Sequence, residues 1–202
     1  MGATVLEIRS CGKPDCSTPA VSNSGFCYQH SEDQAAIRTQ AKDTLVSGTE
    51  VANVNAAYVE FSDLDLQGKQ FNVCSFSHGV FSNVDFSNSN LRLTFFDFCE
   101  FVDCKFKKSD MKYSVFAGSK LISCDFGNSD ILHCNFNGID ASACSFNESD
   151  LYFSTFANSD LSHTTFIDCN LKKVRFNASR RQDVSFKYSN YEEANFDEST
   201  AP

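Results

Sequence analysis

A large apolar residue recurs at every fifth position of this chain from Phe61 to Phe196, without an insertion or a deletion. Seventeen of these central positions hold Phe and six hold Leu, and only Ala141 and Arg181 break the rule. Two residues upstream of each centre, 24 of the 25 positions from 74 to 194 hold Ser, Cys, Thr, Val, Ala or Gly. A period of five fits neither an α-helix nor a flat strand. The chain must therefore turn once in every five-residue unit.

A unit of this kind buries only two side chains, so it cannot form a core by itself. Fixed repeats of this type stack on one another into a solenoid, in which neighbouring units complete the core. From Phe76 to Phe196, Phe occupies every tenth position, while the centres between hold mostly aliphatic residues. The pattern predicts two opposite walls lined by Phe and two lined largely by Leu.

Several units resemble the Ala-(Asp/Asn)-Leu-x-x repeat of the pentapeptide repeat proteins, and the best matches are Ser129–Ile131, Ser149–Leu151 and Ser159–Leu161. The resemblance covers about three quarters of the chain, with Ser or Cys in place of Ala and Phe at alternate centres. It implies an all-β solenoid, a right-handed quadrilateral β-helix with four units per coil. The 28 units from 61 to 196 would then form about seven coils.

Residues 1–30 lack the repeat and carry a compact set of metal-ligand residue types: Cys11, Cys16, Cys27 and His30. Three thiols and one imidazole with the spacing C-x4-C-x10-C-x2-H suit a tetrahedral zinc ion. A set with all four positions filled indicates a structural role, because catalytic zinc keeps one position for water. The alternative is that these are three unrelated thiols and a surface histidine.

Residues 31–48 are predicted to form a helix that caps the first coil. Ser31 and Gln34 fit the N-cap and N3 positions of a capping box, and Gly48 marks the end. One face of the helix carries apolar residues at helical spacing, namely Ile37, Ala41 and Leu45. The repeat domain then extends over residues 49–202.

Seven of the ten cysteines occupy the small inward position and are interpreted as packing residues. Cys104, Cys124 and Cys144 share one column and are close enough for a disulfide, but free thiols in a reducing compartment are the preferred interpretation. The first 25 residues hold no apolar run typical of a signal peptide, and no segment is long enough to span a membrane. We therefore expect a soluble, cytoplasmic protein.

The net charge of −9 argues against direct binding to nucleic acid and favours a protein partner with a basic surface. Between Lys120 and Lys172 the chain has no Lys or Arg. An acidic band in this region is the predicted partner-binding surface, and its residues are Asp110, Asp130, Asp140, Glu148, Asp150 and Asp160. We expect the three residues at 110, 130 and 150 to stack in one column, with those at 140 and 160 one face further on.

No catalytic constellation emerges from the repeats, and the absence of insertions leaves no loops to shape a cleft. The predicted function is a non-enzymatic protein–protein interaction scaffold. An alternative comes from the resemblance, because some pentapeptide repeat proteins imitate DNA and protect a type II topoisomerase such as DNA gyrase. The short rod, the modest charge and the lack of projecting loops argue against this alternative.

Two expectations concern the C-terminal coils. Arg181 stands at a core centre, where we expect its stem to lie inward and its guanidinium to reach solvent, so that replacement by Leu would stabilise the fold. An open last coil would leave strand edges and the rings of Tyr191 and Phe196 near water. This predicts a homodimer formed through the C-terminal coil.

Overall fold

The structure is a computed structural model that describes residues 8–196, so the outer parts of the predicted ranges 1–30 and 49–202 lie outside the described residues. A 3₁₀ turn at Tyr28–His30 precedes helix α1, Gln34–Val46, and a second 3₁₀ turn lies at Tyr191–Glu193. Between them lie the strands β1 Glu50–Ala52, β2 Glu60–Asp65, β3 Gln70–Asn72, β4 Val80–Asp85, β5 Glu100–Val102, β6 Lys120–Ile122 and β7 Asp140–Ser142. In the described part of the chain, no helix has the length and apolar character needed to cross a bilayer.

Every strand pairs in parallel with the chain twenty residues further on, as in Phe61 with Phe81 and Phe101 with Leu121. One sheet has the order β2-β4-β5-β6-β7, and β1 pairs with β3 in a second. The regular strands of the longer sheet thus mark five consecutive coils, fewer than the seven predicted. Single-residue bridges with the same offset continue to Arg175 with Asn195. The solenoid expected from the sequence is confirmed.

A left-handed backbone conformation marks every corner of the coil. The residue two positions after nearly every centre has a φ between 51° and 69°, for example Val73, Asn83 and Gly118. Four such corners in twenty residues give a four-sided coil, which is why the period is five. Asn, Asp and Gly fit this conformation, whereas a β-branched residue such as Val73 is strained in it.

Two ladders of stacked Phe rings fill the core on opposite walls. Phe116 lies 4.8 Å from Phe136 with nearly parallel rings, and Phe126 lies 4.6 Å from Phe146. Rings of different ladders meet edge to face, as Phe116 and Phe126 do at 5.8 Å and 84°. Both arrangements are those that aromatic quadrupoles favour. The predicted Phe walls are confirmed.

The small inward residues contribute hydrogen bonds as well as packing. The hydroxyl of Ser129 donates to the carbonyl of Phe106 at 2.7 Å and accepts the amide of Ser109 at 3.2 Å. Cysteines at this position donate in the same way, as Cys99 does to the carbonyl of Phe76 at 3.0 Å. Buried backbone groups at the corners thus find partners in the next or previous coil. Size alone therefore does not explain why Ser and Cys dominate this position.

Helix α1 covers the first coil with its apolar face. Its three inward residues, Ile37, Ala41 and Leu45, are buried in the same cluster as Val51 of β1. The predicted N-cap is wrong: the helix begins at Gln34, and Asp33 caps it by accepting the amide of Ala36 at 2.8 Å. Asp33 adopts this role because a carboxylate next to the first turn also meets the positive end of the helix dipole.

The C-terminal end of α1 is tied to the solenoid by a buried cation. Lys69 is 8% exposed, and its ammonium donates to the carbonyls of Val46 and Gly48. These are among the carbonyls that a helix end leaves without partners. The helix ends at Val46 with the extended residue Ser47 as its C-cap, so the predicted end at Gly48 lies two residues too late.

The last coil differs from the prediction at Arg181. Tyr191 lies in a 3₁₀ turn and is 56% exposed, so it does not continue the core and its ring lies near water as expected. Arg181 does not send its guanidinium to solvent: Nη1 donates to the carbonyls of Phe176 and Ser179 and to the Ser179 hydroxyl, at 2.9 to 3.0 Å. The same guanidinium lies 5.3 Å from the centre of the Phe196 ring. Arg181 therefore satisfies exposed carbonyls near the end of the stack.

Candidate metal centre and acidic columns

The N-terminal module is a short hairpin followed by a loop. Ser10 and Pro19 form an antiparallel bridge, and the amide of Cys16 donates to the carbonyl of Lys13 across a tight turn. Asp15 adopts a left-handed conformation in this turn, with a φ of 62°. This turn lets a C-x4-C spacing bring both thiols to one side.

The four predicted ligands lie together, with all ligand atoms within 4.8 Å of one another. The Sγ atoms of Cys16 and Cys27 are 3.9 Å apart, and His30 Nδ1 lies 3.5 Å from Cys11 Sγ and 3.4 Å from Cys27 Sγ. Zinc bonds of about 2.3 Å to sulfur and about 2.0 Å to nitrogen give tetrahedral edges of about 3.8 and 3.5 Å. The residues fit a zinc ion held by three thiolates and one imidazole.

Backbone amides are directed at the Cys11 sulfur. The amides of Cys27 and Lys13 donate to it at 3.4 and 3.5 Å. Burial acts to raise the pKa of the Cys11 thiol, but these amides and His30 outweigh it and lower the pKa to about 6. Burial raises the pKa of the neighbouring Cys27 thiol. Amide donors to a thiolate are the usual outer support of a metal ligand.

The module is joined to the first coil through Asn55, which is 4% exposed. The Asn55 side chain donates to the carbonyl of Ala20 at 2.6 Å, and its backbone exchanges two hydrogen bonds with Ser22. A hairpin held by a closed metal site and anchored in this way acts as part of the N-terminal cap.

The predicted acidic residues divide between two opposite faces. The acid column, Asp110, Asp130 and Asp150, is joined by parallel bridges, and Asp140 is bridged to Asp160 in a second column. The two columns are ten residues apart, which is half of a twenty-residue coil. The expectation that they lie one face apart is therefore wrong, because each five-residue unit turns the chain by a full corner. Glu148 lies at a corner and is exposed.

Basic residues of the chain itself neutralise part of this charge. Lys112 Nζ lies 3.2 Å from Asp110 and 3.1 Å from Asp130, and this pairing raises the pKa of Lys112. Hydrogen bonds from Ser162 lower the pKa of Asp160, and Arg180 at 3.4 Å also favours its charged form. The surface with unpaired negative charge is therefore smaller than the acidic band predicted from the sequence.

An exposed row of aromatic rings, not among the predicted site residues, lies beside the acid column. Tyr113, His133 and Phe153 occupy corner positions and stack at 5.3 and 5.2 Å between ring centres. The sequence does carry the signal, since these aromatic residues are twenty apart. We call these three residues the aromatic ridge.

The repeats of this chain match a known protein family. A family model for pentapeptide repeats matches eight copies, over residues 57–92, 99–138 and 144–180, which is more than half of the chain. The chain belongs to the pentapeptide repeat family. Proteins of this family are generally structural or interaction proteins. No curated protein sequence gives a significant match.

Solved structures of other pentapeptide repeat proteins align with the chain at low similarity. QnrB1, a plasmid-mediated fluoroquinolone resistance protein, is 19% identical with a TM-score of 0.49, over 74% of this chain and 80% of QnrB1. HetL of the cyanobacterium Nostoc, involved in regulating heterocyst differentiation, is 11% identical with a TM-score of 0.28, over 77% and 94%. The family assignment rests on the matched repeats.

Proposed function

We propose that the protein is a non-enzymatic interaction scaffold that presents the acid column to a protein partner with a basic surface. The proposal rests on the geometry of the acid column. Asp110, Asp130 and Asp150 stand on consecutive coils of a continuous parallel stack, joined by bridges. Neighbouring strands lie about 4.8 Å apart, so the like charges repel one another. A basic partner would relieve this repulsion.

The N-terminal metal-ligand set and the free cysteines support two further proposals, on a bound metal and on the cellular location. The Cys3His set would hold a structural zinc ion that rigidifies the N-terminal cap, because a closed set of four protein ligands leaves no place for substrate. We propose a cytoplasmic location, where a chain with ten free cysteines stays reduced.

Imitation of DNA for a type II topoisomerase is the weaker proposal. A DNA mimic presents unbroken negative charge, whereas ion pairs to Lys112 and Arg180 interrupt the acidic columns here. The scaffold proposal needs only one local surface and is compatible with these ion pairs.

A pair of matched variants tests the proposal. Replacing the acid column by Asn keeps the hydrogen-bonding shape and removes three charges, and Asp140→Asn with Asp160→Asn removes two charges from the opposite face. Partners are identified by cross-linking in native cells and then purified for binding measurements. We expect the first variant to weaken binding and flatten its salt dependence, and the second to leave both unchanged. Equal affinity of the first variant and the wild type would refute the proposal.

A further inference from the structure

One face of the stack carries three parallel columns that differ in chemistry. The acid column lies at one side and the aromatic ridge at the other. Between them lies an apolar floor of Leu132 and Tyr152, both of intermediate exposure. We call the three columns together the acid–aromatic face.

The exposed rings of the aromatic ridge contribute little to the stability of the fold. Tyr113 and Phe153 are 49% and 48% exposed, and both have left-handed backbones with φ near 64°. Bulky L-residues are disfavoured in this conformation, whereas Asn fits it, and Asn occupies several other corners of the stack. Stacking offsets part of this cost, but the ring edges stay in water. A strained residue with an unburied apolar edge is typical of a binding surface.

Basic residues of the chain contact two parts of the face, and Asp150 is left without an ion pair among the described residues. Lys112 sits between Asp110 and Asp130, and Lys173 lies 5.0 Å from the centre of the Phe153 ring. Asp150 accepts the amide of Tyr152 and the side chain of Asn170, and within residues 8–196 it forms no ion pair. Both cations show that this face accommodates Lys ammonium groups against its acids and rings.

We propose that the acid–aromatic face binds an amphipathic basic helix of a partner protein. Its apolar stripe would lie on the floor and the ridge, and Lys or Arg along one flank would meet the acid column. This inference rests on the proposed scaffold function, for which it names the partner chemistry. The ring faces are covered by stacking, so the partner would pack against ring edges through aliphatic side chains.

The spacing of the columns selects a helix over an extended strand. Side chains on one face of a helix repeat about every 5.4 Å, and residues of a column repeat about every 4.8 Å, so over two coils the helix and the column fall out of register by about 1.2 Å. Side chains on one face of a strand repeat about every 6.7 Å, so over two coils the strand and the column would fall out of register by about 3.8 Å. A second copy of this chain does not fit as the occupant, because its net charge is −9 and the acid column attracts a basic surface.

The test uses the full chain and a synthetic probe. The probe is a dye-labelled peptide of about 18 residues with Leu at i, i+4, i+7 and i+11 and Lys along one flank. A scrambled peptide of the same composition is the control for charge alone. Fluorescence anisotropy at low and physiological salt should show at least about tenfold tighter binding of the patterned peptide.

Variants of both ridges provide the matched control. A second ridge, Tyr58, His78 and Phe98, has the same stacking, but it has Ser75 and Phe95 where the first has acids. Phe153→Asn with His133→Asn should weaken binding about tenfold or more, equivalent to about 1.4 kcal/mol. Phe98→Asn should not change it. Asn suits the left-handed corner, so each variant should keep the wild-type melting temperature.

The outcomes separate this inference from the scaffold proposal. Equal binding of the scrambled peptide, or an equal loss with Phe98→Asn, would overturn the helix inference. If Asp130→Asn with Asp150→Asn weakens binding while the ridge variants do not, acidic recognition stands and the ridge has no role. If neither set changes binding, both proposals fail.

Discussion

Ser129 tests whether the small inward residues act through hydrogen bonds or through size. Its hydroxyl donates to the carbonyl of Phe106 and accepts the amide of Ser109, at 1% exposure. Replacement by Ala leaves the packing almost unchanged and removes both bonds. If size alone mattered, the substitution would be nearly neutral.

The expected magnitude follows from the two groups that lose their partner. A lost hydrogen bond to the carbonyl costs about 1 kcal/mol, and a buried amide left without an acceptor costs about 1 to 3 kcal/mol. We therefore expect Ser129→Ala to lower the free energy of unfolding by about 2 to 4 kcal/mol. The control is Ser89→Ala, at 2% exposure, because among the described residues the Ser89 hydroxyl makes one hydrogen bond, a donation to the carbonyl of Leu66 at 2.8 Å. Its cost should be about 1 kcal/mol.

Two measurements check this prediction. Urea unfolding compares the three proteins, and the slope m is compared as well, because a repeat array can unfold in parts. Native-state hydrogen exchange then reports on the Ser109 amide, which should lose protection in Ser129→Ala and keep it in Ser89→Ala. An equal loss of stability in both variants, with the Ser109 amide still protected, would refute the hydrogen-bond explanation.

Four further predictions concern the two ends and one corner. Elemental analysis should find about one zinc ion per chain, lost in Cys16→Ser with Cys27→Ser, while the solenoid keeps its β-signal in circular dichroism; metal retained in this variant would contradict the site. Arg181→Leu, which the sequence alone suggested would stabilise, should instead lower stability by about 1 to 3 kcal/mol, because three hydrogen bonds from a charged group are lost. A higher melting temperature of this variant would restore the original expectation. Val73→Asn should raise stability by about 1 kcal/mol, since Asn relieves a corner with a φ of 51°, and thermal melting decides the sign. Dimerisation through the C-terminal coil stays a prediction, for which sedimentation should show a dimer that Tyr191→Ser weakens, and a monomeric wild type at high micromolar concentration would exclude it.

The stack could be predicted because its determinants lie within the repeat. The period of five fixes the corners, and Phe at every tenth position fixes the two aromatic walls. The metal-ligand set could also be predicted, since its residue types and their turns are local. In these cases short-range spacing and side-chain chemistry determine the arrangement.

The remaining features depend on contacts that the spacing does not specify. The guanidinium of Arg181 bonds to carbonyls whose positions follow from the coil path, and Asp33 replaces Ser31 as N-cap through geometry at the first turn. Lys69 caps a helix more than twenty residues upstream. The acidic columns lie on opposite faces because two corners separate residues that are ten apart, and one turn per unit with four units per coil already determines this position.

The constant offset of twenty residues has a consequence for how such a chain can change its length. Loss of one five-residue unit would rotate every later coil by a quarter turn relative to the earlier ones, so that later Phe rings would stack on the walls lined by Leu. A deletion between Asp130 and Asp150 would also move the second aspartate to an adjacent face. Gain or loss of twenty residues keeps all columns aligned. A surface that extends over several coils is therefore preserved only when the chain changes by whole coils, whereas the alternation of Phe and Leu walls also survives a change of ten residues.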